Sequence, residues 1–283
     1  MIYSETFQIK GDKLSCLRYN EWSDKVILFF HGFTGSKNYF PNIETSKYCI
    51  VSFDRPGVGE SSIVEYYSME YFLTNIYEVL TSHNVSSVKV IGHSAGGYYA
   101  QVFAHMYPEF VSSLTLVSSM IPINCPNTKK WVSGFWKFVT FMSLYMKAIS
   151  KFFFKKMAEG IVKDYDTQFT QNLKTLSTPE KEFMENHYDL IKNAVLQAVA
   201  NNGFGVCYDA YALCQNRTEI KISDHIPVFI WHGTEDDTVP IEYTQYFETN
   251  YTIQSIHKIE GVGHMLYLPY WDKIIEEIIE RNE

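Results

Sequence analysis

The sequence predicts an α/β fold in which helices cover both faces of a mostly parallel central sheet. Two features of the 283-residue chain predict it. Short apolar runs bounded by Gly or Pro alternate with helical patterns, and one long stretch of helical patterns interrupts that alternation. The first feature is typical of parallel strands buried on both faces. The second feature indicates an all-helical insertion between two strands of the same sheet.

The predicted strands are continuous apolar runs rich in Val, Ile and Phe, a composition typical of buried strands. They cover residues 26–30, 48–53, 88–91, 114–117, 227–231 and 253–259. Helical patterns lie between the strands and after the last one, at residues 71–82, 95–107, 241–247 and 271–279. Because strands and helices alternate, we expect most strands to be parallel.

The middle of the chain contains only helical patterns, at residues 131–156, 179–201 and 205–215. We therefore predict a core domain made of residues 1–120 and 223–283, and a helical cap made of residues 121–222. Open α/β sheets bind their ligands at the carboxyl ends of the strands. The cap is expected to lie over that edge of the sheet.

Composition excludes several classes of function. The formal net charge is -8 and no polybasic stripe is present, so we expect no nucleic-acid partner. Five scattered cysteines suit neither a disulfide framework nor a zinc site, and we expect reduced thiols. The chain shows no signal peptide, and lysines interrupt its most apolar stretch, so a cytoplasmic location is expected. The oligomeric state is left unpredicted.

Ser94 is the candidate nucleophile. It lies in Gly92-His93-Ser94-Ala95-Gly96, directly after a predicted strand and before a predicted helix. The flanking glycines permit the tight strand-to-helix turn that exposes a serine hydroxyl. The amino terminus of the following helix also stabilises developing negative charge. A strand, this turn and a helix together predict a serine hydrolase.

A serine hydroxyl needs a base, and the base needs a group that orients it. His264 is the candidate base because it follows the strand at 253–259 in a glycine-rich loop. Asp236, just past the strand at 227–231, is the candidate acid. Its neighbours Glu235 and Asp237 are the possible alternatives.

The oxyanion formed during acyl transfer needs two backbone N–H donors. One is expected from Ala95, the residue after the nucleophile. The other is expected from the loop His31-Gly32-Phe33-Thr34-Gly35, where Phe33 is the candidate donor. We interpret His31 as a structural histidine that holds this loop, rather than as a base.

These residues resemble the α/β-hydrolase superfamily, in the group of esterases and lipases that carry a cap. The matching segments are His31-Gly32-Phe33, residues 54–61, Gly92-His93-Ser94-Ala95-Gly96-Gly97, Gly233 to Asp236 with Pro240, and Gly263-His264. The resemblance implies a Ser94–Asp236–His264 triad, in the order Ser, Asp, His. It also implies an oxyanion hole made by Phe33 and Ala95, a supporting role for residues 54–61, and no cofactor or metal.

A serine at position 94 argues against epoxide hydrolases and haloalkane dehalogenases, which use an aspartate nucleophile, and the elbow and oxyanion loop differ from those of proline iminopeptidases. The resemblance therefore implies a hydrolase of a small carboxylic ester with an apolar part. Thioesterases, acylglycerol lipases, carbon–carbon bond hydrolases and non-catalytic ligand-binding proteins of this fold remain as alternatives.

The predicted cap is rich in aromatic residues between positions 131 and 154. We interpret them first as packing between the cap and the core. They also suit an apolar acyl pocket beneath the cap. A third interpretation is that the lysine-flanked aromatic face contacts membrane lipid.

Overall fold

The computed structural model describes residues 1–280 except 42–47, 127 and 129. In these residues eight strands form one sheet, which confirms the predicted α/β class. Their order across the sheet is β1-β2-β4-β3-β5-β6-β7-β8. The strands are β1 (Ile2–Ile9), β2 (Asp12–Tyr19), β3 (Lys25–Phe30), β4 (Cys49–Phe53), β5 (Ser87–His93), β6 (Val111–Val117), β7 (Val228–Gly233) and β8 (Ile253–Ile259).

The amino-terminal hairpin, β1 and β2, was not among the predicted strands. Residues of β1 alternate between exposed and half-buried, so no continuous apolar run marks the strand. Lys10 and Gly11 form its two-residue turn with φ of 53° and 93°, the sign that a type I′ hairpin needs at both central positions. This hairpin pairs antiparallel with β4, and the other neighbouring strands pair in parallel.

Helices cover the sheet and fill the long connection between β6 and β7. Each face of the sheet has its own cluster of buried apolar side chains. The helices are α1 (Met69–Ser82), α2 (Ala95–Met106), α3 (Gly134–Tyr145), α4 (Lys147–Lys163), α5 (Tyr165–Asn172), α6 (Thr178–Asn186), α7 (Tyr188–Ala198), α8 (Phe204–Gln215), α9 (Tyr243–Asn250) and α10 (Trp271–Glu280). No helix in the described ranges has both the length and the apolar composition that crossing a bilayer requires.

The six helices α3–α8 are here called the inserted helices; α8 matches the predicted helix at 205–215, whereas the two longer predicted helices are each divided in two. The expected helix at 131–156 breaks at Met146, whose φ and ψ are −129° and 49°. The expected helix at 179–201 breaks at His187. Helix α5 was not predicted at all. The break at Met146 redirects the chain, so that α3 and α4 can both pack against α8. The pattern of apolar residues did not reveal these changes of direction.

The aromatic stretch of the inserted helices divides into a buried and an exposed set. Trp136, Met142 and Phe154 are buried, as expected for packing against the core. The exposed aromatic residues are Phe135, Phe138, Phe141, Tyr145, Phe152 and Phe153. Packing therefore accounts for part of the stretch, and contact of the exposed set with lipid stays a prediction.

Strand register brings the loops of the site to one edge of the sheet. Phe30 of β3 is paired with Gly92 of β5, and Val117 of β6 is paired with both His93 and Trp231. The carboxyl ends of these four parallel strands are therefore level. The segments that follow them, including Ser94 and Asp236, emerge close together, as expected for an open α/β sheet.

Candidate active site

Ser94 occupies the turn between β5 and α2 in a backbone conformation that few residues adopt. Its φ is 54° and its ψ is −123°, a strained combination for a residue with a side chain. A Cβ at Gly96 would lie 2.0 Å from the Phe30 carbonyl oxygen, and a Cβ at Gly92 would lie 2.5 Å from the Gly97 Cα. These close approaches explain why both flanking positions are glycine.

The structure brings His264 and Asp236 to Ser94. His264 Nε2 lies 3.0 Å from Ser94 Oγ, and His264 Nδ1 lies 2.9 Å from Asp236 Oδ2. Because a carboxylate only accepts hydrogen bonds, Nδ1 must carry the proton that points at Asp236. In a neutral ring Nε2 is then free to accept the Ser94 hydroxyl proton, which is the tautomer that a general base requires.

Asp236 is buried, and several donors surround its carboxylate. Besides His264, the backbone N–H groups of Thr238 and Val239 donate to Oδ1 over 3.0 and 2.8 Å. Burial alone would raise the pKa of Asp236, but the nearby His264 imidazole and the Val239 N–H outweigh it and lower the pKa. The carboxylate is thus ionised at neutral pH.

The alternative acids and the alternative base lie elsewhere. Glu235 and Asp237 are exposed to solvent, on either side of Asp236 in the chain. His31 is buried, and its Nδ1 donates to the Gly32 carbonyl over 3.0 Å. Burial lowers the pKa of His31 well below its usual value, so the ring is neutral. His31 therefore holds the backbone of its own loop.

Arg55 orients the loop that contains Phe33. Its guanidinium donates to the Gly32 carbonyl over 3.1 Å and also to the His31 carbonyl. In a planar trans peptide the N–H points away from the C=O, and the described residues contain no cis peptide bond. The Phe33 N–H, which shares its peptide unit with the Gly32 carbonyl, therefore points away from Arg55. Arg55 lies in the segment 54–61, for which the family resemblance implies a supporting role.

Asp209 of α8 is the buried partner of Arg55, with Oδ2 2.8 Å from Nη1. Tyr99 and Tyr67 also donate to its carboxylate, over 2.7 and 3.4 Å. Burial raises the pKa of Asp209, and the Arg55 charge opposes that rise. This link between an inserted helix and the Phe33 loop was missed, since no local motif relates residues 154 positions apart.

The sequence predicts no separate role for His93, which lies in the Ser94 motif, but in the structure it contacts the loop of the candidate base. Its Nε2 donates to the His264 carbonyl oxygen over 2.9 Å, and its ring packs against Tyr267 with centroids 4.2 Å apart. Burial lowers the pKa of His93 to about 3, so this ring is neutral. His93 therefore supports His264 from the side of β5.

A cavity of about 610 Å³ adjoins Ser94 and His264. Its walls come from the core loops and from the inserted helices, and they are mainly apolar. Among the lining residues are Phe33, Met120, Phe135, Trp136, Val239 and Met265. The rings of Phe33 and Trp136 meet edge to face with centroids 5.4 Å apart. A cavity with an apolar wall therefore lies beside Ser94, and α3 supplies part of it; that it holds an acyl group stays a prediction.

Comparison with known proteins finds lipases that are similar to parts of this chain or to most of it. Lipase 1 of Psychrobacter immobilis is 33% identical over 114 residues, which are 38% of this chain and 36% of the lipase. This chain thus spans about a third of that relative's length. Lipase 3 of Moraxella sp. (strain TA144) is 23% identical over 90% of this chain and 76% of the lipase.

Solved structures share the fold. An esterase from Exiguobacterium antarcticum superposes with a TM-score of 0.70 and 18% identity, over 99% of both chains. At that identity the likeness concerns the fold alone. The family model described as the alpha/beta hydrolase fold matches residues 25–269, which are most of the chain. This chain therefore belongs to the α/β-hydrolase family.

Proposed function

We propose that this protein is a serine hydrolase that cleaves carboxylic esters with an apolar acyl or alcohol part through an acyl-enzyme. One observation carries the proposal: Ser94 Oγ, His264 and Asp236 form a continuous hydrogen-bonded chain at a strained strand-to-helix turn. The similarity to a lipase of Psychrobacter immobilis and to one of Moraxella supports ester hydrolysis.

Acylation begins when Ser94 Oγ attacks the ester carbonyl carbon and His264 Nε2 takes its proton. The imidazolium then lies against the ionised Asp236, which stabilises its positive charge. When the tetrahedral intermediate collapses, the bond between the carbonyl carbon and the alcohol oxygen breaks. His264 gives its proton to the departing alcohol, and the acyl group remains on Ser94.

Ala95 and Phe33 supply the two N–H groups that bind the oxyanion. Ala95 is the first residue of α2, so its N–H has no acceptor within the helix. The Phe33 N–H points away from Arg55, and Phe33 is one of the residues that line the cavity beside Ser94. In deacylation, His264 activates a water that attacks the acyl carbon, and the acid leaves as Ser94 regains its proton.

The inserted helices act as the cap that shapes the substrate site. Trp136 and Phe135 of α3 line the same cavity as Ser94, and the cavity volume suits a small ester. Since most of the lining is apolar, the bound ester is expected to place a hydrocarbon part against these rings. We retain residues 121–222 as the boundaries of this cap.

Labelling and turnover test the proposal together. Wild-type protein should react with a fluorophosphonate probe and hydrolyse p-nitrophenyl esters, with rates that rise from acetyl to medium acyl chains. Ser94→Ala should abolish both activities. Ser112→Ala makes the same chemical change at an exposed position of β6 and should abolish neither. Labelling that survives Ser94→Ala would refute Ser94 as the nucleophile.

The substrate panel separates the alternatives. Acyl thioesters, monoacylglycerols and a vinylogous diketone substrate test for thioesterase, acylglycerol lipase and carbon–carbon bond hydrolase activity. Turnover of only one of these classes would replace the simple ester as the substrate. A protein that binds apolar esters without labelling or turnover would instead be a ligand-binding member of the family.

A cytoplasmic location stays part of the proposal. The five cysteines are buried free thiols, and burial raises the pKa of Cys16 and Cys49 to about 12. Such thiols are inert and suit a reducing compartment. Cell fractionation with an antibody against the protein tests the location.

A further inference from the structure

We propose that Glu180, a carboxylate of the inserted helices, is a positioning residue that holds His264 in register with Ser94. The proposal rests on the function proposed above. Glu180 lies in the first turn of α6, is fully buried and sits beside the loop of the candidate base. Neither the triad nor the oxyanion hole includes it.

Glu180 binds the backbone on both sides of His264. Its Oε1 accepts the Met265 N–H over 2.6 Å, and its Oε2 accepts the Gly263 N–H over 3.1 Å. One carboxylate thus fixes the two peptide N–H groups that flank His264. Hydrogen bonds to a charged acceptor are shorter and stronger than neutral ones. The Cα of His264 is therefore held between two anchored amides.

A third backbone group of this loop is also held. The His264 carbonyl accepts a hydrogen bond from His93, which immediately precedes Ser94 in the chain. Glu180 and His93 thus restrain the backbone of His264 from opposite sides of the loop, and Asp236 restrains its ring. Because proton transfer from Ser94 requires the ring at hydrogen-bond distance, a small shift of this loop should slow acylation.

A purely local role does not account for these contacts. Glu180 forms a capping box with Ser177, whose N–H and hydroxyl both donate to Oε2. A capping box needs one acceptor oxygen facing the amino-terminal residue of the helix. Here the other oxygen, Oε1, accepts a donor 85 positions away in the chain.

The absence of a side chain at Gly263 leaves room for the Glu180 carboxylate. A Cβ at this position would lie 2.9 Å from Glu180 Oε2. Any larger residue would push the carboxylate away from the loop, so glycine is what allows the close approach. The arrangement makes the base of the core domain dependent on a helix of the insertion.

Glu180→Gln tests the proposal because it keeps the shape and changes the acceptors. A carboxamide has an NH₂ where one carboxylate oxygen stood, and NH₂ cannot accept from a backbone N–H. We expect kcat for a p-nitrophenyl ester to fall about 100-fold with KM within about threefold of wild type. Glu182→Gln, an exposed residue of the same helix, is the matched control and should leave kcat within about twofold.

Two further variants separate positioning from helix capping. Ser177→Ala removes the capping hydroxyl but keeps the backbone N–H of residue 177 and both bonds to the His264 loop, so it should lower the melting temperature without lowering kcat. In a His264→Ala background, Glu180→Gln should cause no additional loss of the residual rate, because its effect passes through His264. Equal losses of kcat in Ser177→Ala and Glu180→Gln, or full additivity with His264→Ala, would overturn the proposal.

Amide hydrogen exchange tests the contact without any substrate. In folded wild-type protein the Gly263 and Met265 amides should be protected, and Glu180→Gln should speed their exchange at least tenfold while amides of β5 stay protected. Unchanged exchange would refute the role of Glu180 even if esters are hydrolysed. If no ester is turned over but the exchange changes as expected, the proposed function fails and the contact stands. If Glu180→Gln does not fold, Gly263→Ala provides the same readout at Met265.

Discussion

The loops after β4 and β7 each contain a buried aspartate, and the pKa values of the two carboxyl groups are shifted in opposite directions. The side chains of Asp54 and Asp236 are both 0% exposed. Burial raises the pKa of Asp54 to about 7, although the Lys37 N–H and ammonium oppose the rise. The pKa of Asp236 is instead lowered, because the His264 imidazole and backbone donors outweigh its burial.

The number of donors accounts for this difference. Asp236 accepts from His264, Thr238 and Val239. Asp54 Oδ1 accepts from the Lys37 N–H, and the Glu60 N–H is a second backbone donor to this carboxyl group. Its Oδ2 lies 3.7 Å from the Lys37 ammonium and has no hydrogen-bond partner in the described part of the chain. Burial is equal, so donors decide which carboxylate stays charged. An aspartate that stays charged at neutral pH can orient a histidine, whereas Asp54, with a pKa of about 7, is only partly charged there.

The largest expected effect comes from removing the charge of Asp236. In Asp236→Asn the amide NH₂ can donate to His264 Nδ1, which favours the tautomer whose Nε2 is protonated and cannot act as a base. We expect kcat to fall about 10⁴-fold with the melting temperature nearly unchanged. Steady-state kinetics on a p-nitrophenyl ester measures the fall in kcat. A loss of kcat below tenfold would mean that the charge of Asp236, which the surrounding donors preserve, is not needed for catalysis.

Asp54→Asn should change stability rather than chemistry. Folding raises the pKa of Asp54 from about 3.9 to about 7, so its stabilising contribution is greatest below pH 4 and is lost as pH rises to 7. The variant lacks this titrating group. Between pH 4 and pH 8 its free energy of unfolding should therefore rise relative to that of wild type by up to about 4 kcal/mol. Urea unfolding at several pH values tests it, and parallel pH profiles would contradict it.

Asp209 extends the comparison, because its partner is a permanent cation. Arg55 donates to Asp209 and the Gly32 carbonyl through Nη1 and to the His31 carbonyl through Nη2. A lysine has a single ammonium nitrogen and cannot reproduce this two-armed contact. We expect Arg55→Lys to lower kcat about 100-fold through a misplaced Phe33 N–H. Arg18, a buried arginine paired with Glu5 over 2.8 Å, provides the control. Arg18→Lys should lower the melting temperature and spare kcat, and similar kinetics for the two variants would argue against orientation by Arg55.

The smallest effect is expected at Asp237. This neighbour of Asp236 is exposed, and its carboxylate accepts from the Thr238 hydroxyl over 3.2 Å. Water already solvates it, so Asp237→Asn should reduce kcat/KM less than about tenfold. If Asp237→Asn were as damaging as Asp236→Asn, the choice between the two aspartates would be wrong.

Much of the core was predictable because its signals are local. The runs at 26–30 and 88–91 are apolar throughout, and the strands that contain them, β3 and β5, are almost entirely buried. The hairpin of β1 and β2 was not predicted because neither strand is a continuous apolar run. The breaks at Met146 and His187 were not predicted either, since helical periodicity continues across them and packing decides where the chain bends.

The sequence by itself determined the family of this protein and the residues that are candidates for its chemistry. Ser94, Asp236 and His264 lie in recognisable segments, because each follows a strand in a turn or loop that contains glycine. Only the tertiary structure decided which carboxylates are charged and which positions support the site. Glu180, Arg55 and Asp209 act on residues more than 20 positions away, across elements whose spacing no local pattern records. Burial and hydrogen-bond donors are both properties of the folded chain; burial is the same for Asp236 and Asp54, and the donors separate them.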